Sequence, residues 1–156
     1  MESVSVKLAF RPAGGRDSAD RDFIIATWSS SFKKSHSAGL IHADDWAAVM
    51  RPQLERILDR GRAVIACDKT DPNYFYGWIA GDTSESTPVI FYAYVKEPYR
   101  RTGIGRDLFA AFGVDPTKYF VYVCKPVSIV LLGKVRLARF NPNEVRYPKE
   151  NRRRPL

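Results

Sequence analysis

Cysteine and histidine are scarce in this chain, with two of each among 156 residues. Cys67 and Cys124 fall in separate apolar runs, while His36 and His42 share one polar connection, so no spacing suits a zinc-type cluster and no metal is expected. Each cysteine reads instead as a buried thiol within a strand. Long apolar runs are missing too. A membrane-spanning helix needs ~20 apolar residues, and the longest uncharged candidate, residues 126–133, falls far short. No membrane partner is expected. Residues 1–5 lack the basic-then-apolar layout of a signal peptide, which makes the cytoplasm the expected compartment. Repeats, low-complexity segments and linkers are absent as well. The expectation is one domain over residues 1–148 and a short basic tail over residues 149–156.

What is present begins with positive charge. Lys and Arg number 25 against 17 Asp and Glu, for a net charge of +8 and a pI near 9.7. Such an excess attracts something anionic without saying what: nucleic acid, an acidic protein and a phosphorylated cofactor all qualify. Part of it gathers around Arg100, Arg101 and Arg106, and part in the tail, which is expected to be a solvated end.

Hydrophobic periodicity orders the chain. Residues 3–10 alternate as a strand, with Val4, Val6, Leu8 and Phe10 on one face, and Pro12 to Gly15 end it. Asp17 or Ser18 can cap a helix carrying Phe23, Ile24, Thr27, Trp28 and Phe32 at helical spacing. A second helix spans residues 43–60, and Pro52 inside it predicts a kink or a break into two. Gly61 suits its C-terminal cap. Residues 62–68 and 74–81 predict two antiparallel strands, residues 89–95 a third, residues 105–112 a helix and residues 119–124 another strand. Residues 126–140 fit helix or strand. The fold class is α/β in the α+β sense: a mixed, mainly antiparallel sheet flanked by helices.

One segment carries chemistry. A strand ending Tyr92-Ala93-Tyr94-Val95 leads through Lys96-Glu97-Pro98-Tyr99 into Arg100-Arg101-Thr102-Gly103-Ile104-Gly105-Arg106 and at once into a helix. Glycines leave no side chain over the backbone and permit positive φ. Successive N–H groups can then converge beside the partly positive helix N-terminus. That is a pyrophosphate cradle. Taken alone, two glycines between a strand and a helix are more often just a tight turn.

The run from Val95 through Gly105 resembles the acetyl-CoA signature of the GCN5-related N-acetyltransferase (GNAT) superfamily. There a strand ending in valine meets an Arg/Gln-x-x-Gly-x-Gly/Ala loop and a helix. The spacing of Val95, Arg100, Gly103 and Gly105 matches without a gap, and Pro98 falls one position later than the family's usual proline. The resemblance covers residues 4–140 by order of elements and residues 92–109 by motif. It implies acetyl-CoA as co-substrate, with the N–H groups of Arg101, Thr102, Gly103, Ile104, Gly105 and Arg106 on the pyrophosphate. The main chain of Tyr94, Val95 and Lys96 would pair with the pantetheine arm like an added strand. It further implies that the strand at residues 119–124 splays from the strand at residues 89–95, and that acetyl passes to a primary amine by direct attack.

The resemblance stops at the catalytic acid. Many members carry a tyrosine in the helix after the fifth strand, whereas residues 126–134 hold none and the part beyond looks shortened. Tyr94, Ser128, Cys124 and His42 are substitutes, each with an ordinary structural reading beside it. His36, Glu97, Asp44, Asp45 and Asp82 rank no higher. Two rival functions follow. One is a GNAT-fold protein that docks on a protein partner with weak or no catalysis. The other binds or modifies nucleic acid, and it ranks third because CoA-binding proteins are often basic. The amine acceptor, small molecule or protein, is not specified by the sequence.

Overall fold

The computed structural model describes residues 7–33, 43–115, 118, 120–122 and 138–140. In chain order the elements are β1 (Leu8–Pro12), α1 (Ala19–Lys33), α2 (Ala43–Asp59), β2 (Arg62–Asp68), β3 (Phe75–Asp82) and β4 (Val89–Val95). A single 3-10 turn (Glu97–Tyr99) follows, then α3 (Ile104–Phe112), β5 (Phe120–Tyr122) and β6 (Ala138–Phe140). The strands form one six-stranded sheet in sequence order. β1 to β4 are antiparallel, whereas β5 runs parallel to β4 and β6 parallel to β5. A parallel neighbour requires a crossover, and α3 supplies it.

Strand alternation sends side chains to two cores. On the face covered by α1 and α2, Ile24, Trp28, Leu54 and Leu58 pack against Ile65, Trp78 and Tyr92. On the other face Ile104, Leu108, Phe109 and Phe112 of α3 pack against Val64, Ile79, Ile90 and Phe120. Trp28 and Trp78 are each at most 1% exposed, with ring centroids 5.6 Å apart. The Trp78 indole N–H donates to Thr27 Oγ1 at 2.8 Å, so the buried polar edge of this ring is satisfied. α1 and α2 are joined by Arg21, which donates to Glu55 at 2.6 Å and to Asp59 at 3.1 Å. At the start of α1, Ser18 is the cap: its Oγ accepts the Arg21 N–H at 3.1 Å.

Three sequence expectations are corrected, and one left open is resolved. The first strand extends through Arg11 and Pro12 rather than ending before them. This is an edge strand, where a missing N–H faces no partner. Phe10 on it is 36% exposed, as α3 packs mainly on β2, β3 and β4. The break into two helices is not found at Pro52: α2 is one helix, and Pro52 lies exposed like Ala48 one turn before it. The Ala48 carbonyl that proline leaves unbonded is thus on the solvent side. Gly61 does not take a left-handed cap conformation. It is glycine because a Cβ there would lie 2.2 Å from the Gly81 carbonyl oxygen. Within the ambiguous C-terminal stretch, residues 138–140 are strand. The remainder of that stretch and the basic tail lie outside the described residues.

Candidate functional site

β4 changes character halfway. Its pairing with β3 slips between Ala80 and Gly81, so Tyr92 faces Ala80 while Ile90 faces Gly81, leaving Phe91 as an extra residue. Before the slip, β5 lies alongside: Val89 pairs with Val121 and Ile90 with Tyr122, and the Val121 N–H donates to Pro88 at 2.9 Å. Beyond it, β4 carries Tyr94 and Val95 towards the loop. Splaying from β4 is expected of the strand at residues 119–124; Val121 and Tyr122 are instead paired with β4, and residues 119, 123 and 124 lie outside the described residues.

The end of β4 divides its main-chain groups between two edges. The Lys96 N–H donates to the Tyr76 carbonyl of β3 at 2.8 Å. By ladder alternation Tyr94 uses the same edge, and Val95 turns its N–H and C=O to the other. The Val95 carbonyl accepts Arg100 Nε at 2.7 Å, and that guanidinium lies 5.6 Å from the Tyr94 ring centroid. Of the three residues expected to pair with an extended arm, Val95 therefore has its main chain on the edge away from β3.

The loop after the 3-10 turn contains two left-handed residues. Arg101 has φ 67° and Gly103 has φ 91°, and they bracket Thr102, whose hydroxyl donates to the Tyr99 carbonyl. Gly103 is the residue before α3, and the first helical bond runs from the Asp107 N–H to its carbonyl at 3.1 Å. Among the described residues, no acceptor meets the N–H groups of residues 101–106. A Cβ added at Gly103 or Gly105 would meet nothing within 4 Å. Only Gly103 needs glycine for its backbone angle. Gly105 has an ordinary φ and open space above it, so nothing within the described chain demands a glycine there. Ile104 is 2% exposed and anchors the turn in the α3 core. Arg101 and Arg106 are exposed and have no carboxylate partner among the described residues; Asp107 is the one acid of the first helical turn. Donors, a bare backbone and cations thus share one surface, an arrangement that suits a phosphorylated ligand.

Under this loop lies a tyrosine cluster that sequence reasoning missed. Tyr99 meets Tyr76 edge to face at 4.7 Å, its hydroxyl lies 2.8 Å from that of Tyr74, and Tyr76 donates to Asp68 at 2.8 Å. Burial and the Asp68 carboxylate push the Tyr76 phenol up to about 12. The Thr70 hydroxyl and N–H, with Tyr76, pull Asp68 down to about 2. The Tyr74 hydrogen bond likewise raises Tyr99. Tyr99 beside Pro98 is an isolated tyrosine in sequence, and only the turn of the chain brings it to β3.

Of the substitutes for a catalytic acid, Tyr94 is half-buried, packed edge-on to Phe23 at 6.3 Å and stacked on Trp78 at 6.5 Å. Ser128, Cys124, His42 and His36 lie outside the described residues. Nothing is described for the side chains of Asp44 and Asp45.

No family model matches the sequence, and neither does any curated protein. Solved structures are similar. One is the GCN5-related glucosamine N-acetyltransferase region of a fungal multi-domain GH3 β-N-acetylglucosaminidase. It has a TM-score of 0.50 and 17% identity over 69% of this chain and 12% of that one. An acetyltransferase of the GNAT family from Staphylococcus aureus Mu50 gives 0.45 and 19%, over 66% of this chain and 62% of that one. The PaiA N-acetyltransferase from Thermoplasma acidophilum, in complex with coenzyme A, gives 0.47 and 14%, over 86% and 78%. The matched part is about an eighth of the length of the first protein and less than two thirds of the second. At these identities the likeness is one of fold.

Proposed function

Since the chain has the fold of the GCN5-related N-acetyltransferases, we propose that it binds acetyl-CoA at the loop of residues 100–106 and transfers the acetyl group to a primary amine. The observation that carries this reading is the set of N–H groups over residues 101–106 that meet no acceptor among the described residues, beside two glycines with open space above them. Those N–H groups would take the pyrophosphate, with Arg101 and Arg106 adding charge-assisted contacts. The Val95 main chain would pair with the pantetheine arm, which requires Arg100 to release the Val95 carbonyl. Bound acetyl-CoA supplies an activated thioester acyl group. Direct attack needs a neutral amine, so the protein or a relayed water must take the amine's proton.

The absence of tyrosine from residues 126–134 favours a second reading, a CoA-binding protein that docks on a protein partner. The experiment that separates them incubates the protein with acetyl-CoA and a panel of primary amines and follows released thiol. Amine-dependent release that disappears in Gly103→Val/Gly105→Val supports transfer. CoA binding without release across the panel sinks transfer and leaves docking.

A further inference from the structure

We infer that Tyr99 is a positioning residue for the loop of residues 100–106, holding it in its binding shape from β3; this rests on the proposed acetyl-CoA site. A non-glycine residue at φ 67° is sparsely populated and persists only where its surroundings over-determine it. Arg100 is held by Glu97 and Val95, and the remaining restraints around Arg101 meet at Tyr99. The Tyr99 N–H donates to Lys96 at 2.9 Å, and its carbonyl accepts the Thr102 hydroxyl from across the strained residue. Its ring packs on Tyr76, and its hydroxyl bonds that of Tyr74. Tyr76 is itself 5% exposed and fixed by Asp68. The fan of N–H groups begins two residues after this anchor, at the residue whose backbone the anchor holds left-handed. Without the Tyr99 side chain the main-chain bonds of residue 99 remain but lose their tie to Tyr76 and Tyr74, so Arg101 can relax towards negative φ and the N–H groups that follow it lose their fixed arrangement.

The test reads CoA affinity by titration calorimetry, with melting temperature measured on every variant. Tyr99→Ala is expected to stay folded and bind CoA about tenfold more weakly, as losing a hydrogen bond and an aromatic contact implies. Tyr99→Phe keeps the ring and should lose about threefold. Arg101→Ala and Arg101→Gly both remove the charge, but only glycine reaches positive φ freely. With Tyr99 present the two should bind CoA within about twofold of each other; with Tyr99→Ala, glycine should bind about fivefold tighter than alanine. A role of Tyr99 in general stability would not produce that rescue. Unchanged affinity in Tyr99→Ala, or the same glycine-to-alanine ratio in both backgrounds, overturns the inference while leaving the CoA site intact. If Tyr99→Ala fails to fold, Tyr99→Phe decides, and wild-type affinity there overturns it. A wild type that binds no CoA removes the site and the inference together.

Discussion

Gly105 isolates the functional demand on one residue. Its backbone angle suits any amino acid, and a Cβ there would touch nothing in the described chain. Gly105→Ala should therefore stabilise the protein by ~0.5–1 kcal/mol through helix propensity, with CoA affinity largely kept. Gly105→Val should fold but lose CoA, because its branches fill the surface the ligand needs. Denaturant titration and calorimetry check both, and a valine variant with unchanged CoA affinity would move the cradle elsewhere. Asp68 makes the other residue-scale forecast. Held at about 2 against an ordinary 3.8, it stabilises the fold above the ordinary value and loses that contribution as pH falls from about 4 towards 2. Asp20, lowered by Arg11 and the Gly14 N–H, adds to the same acid limb. Tyr76, raised from 10.0 to about 12, acts oppositely: its contribution is full below pH 10 and lost between 10 and 12. Melting temperature against pH should fall on both sides, and Asp68→Asn should flatten the acid limb. An acid limb as steep in Asp68→Asn as in the wild type would contradict this assignment.

At the scale of elements, α2 poses the sharper question. An interior proline removes one helical hydrogen bond, and Pro52 does so without dividing the helix. Tertiary packing of Met50 before the proline and of Leu54 and Leu58 after it holds both halves on the sheet. Pro52→Ala should then raise stability by ~1–3 kcal/mol, measured by chemical denaturation, with no effect on CoA affinity. A stability loss would mean that the proline serves packing. The same helix shows what sequence can convey. Its apolar periodicity fixed where the helix lies, whereas the rule that proline breaks helices could not anticipate the compensation from the core. β2 and β4 were legible end to end, since burial on both faces gives a continuous apolar run, Ala63 to Cys67 in one and Val89 to Val95 in the other. β1 was not, because alternation assigns faces but cannot tell that α3 leaves one face of the edge uncovered. Likewise, the strand–glycine–helix motif located the loop, while the link from Tyr99 to Tyr74 spans 25 residues and has no local signature.

Over the whole molecule, a sheet divides two cores, and the loop emerges where β4 leaves its partner β3 and α3 begins. Charge is distributed to match. Arg11, Arg16, Arg21 and Arg51 are taken up in ion pairs with Asp20, Asp22, Glu55 and Asp59 around the α1–α2 side. Lys96, Arg100, Arg101 and Arg106 have no such partner among the described residues and sit at the loop end of the sheet. Among the described residues, this distribution supports the proposed placement of an anionic ligand at the loop. Titration calorimetry of the wild-type protein with acetyl-CoA at low salt tests this most directly. The account predicts a micromolar-range Kd. No detectable heat up to about a millimolar ligand, corresponding to less than ~4 kcal/mol of binding, would contradict it.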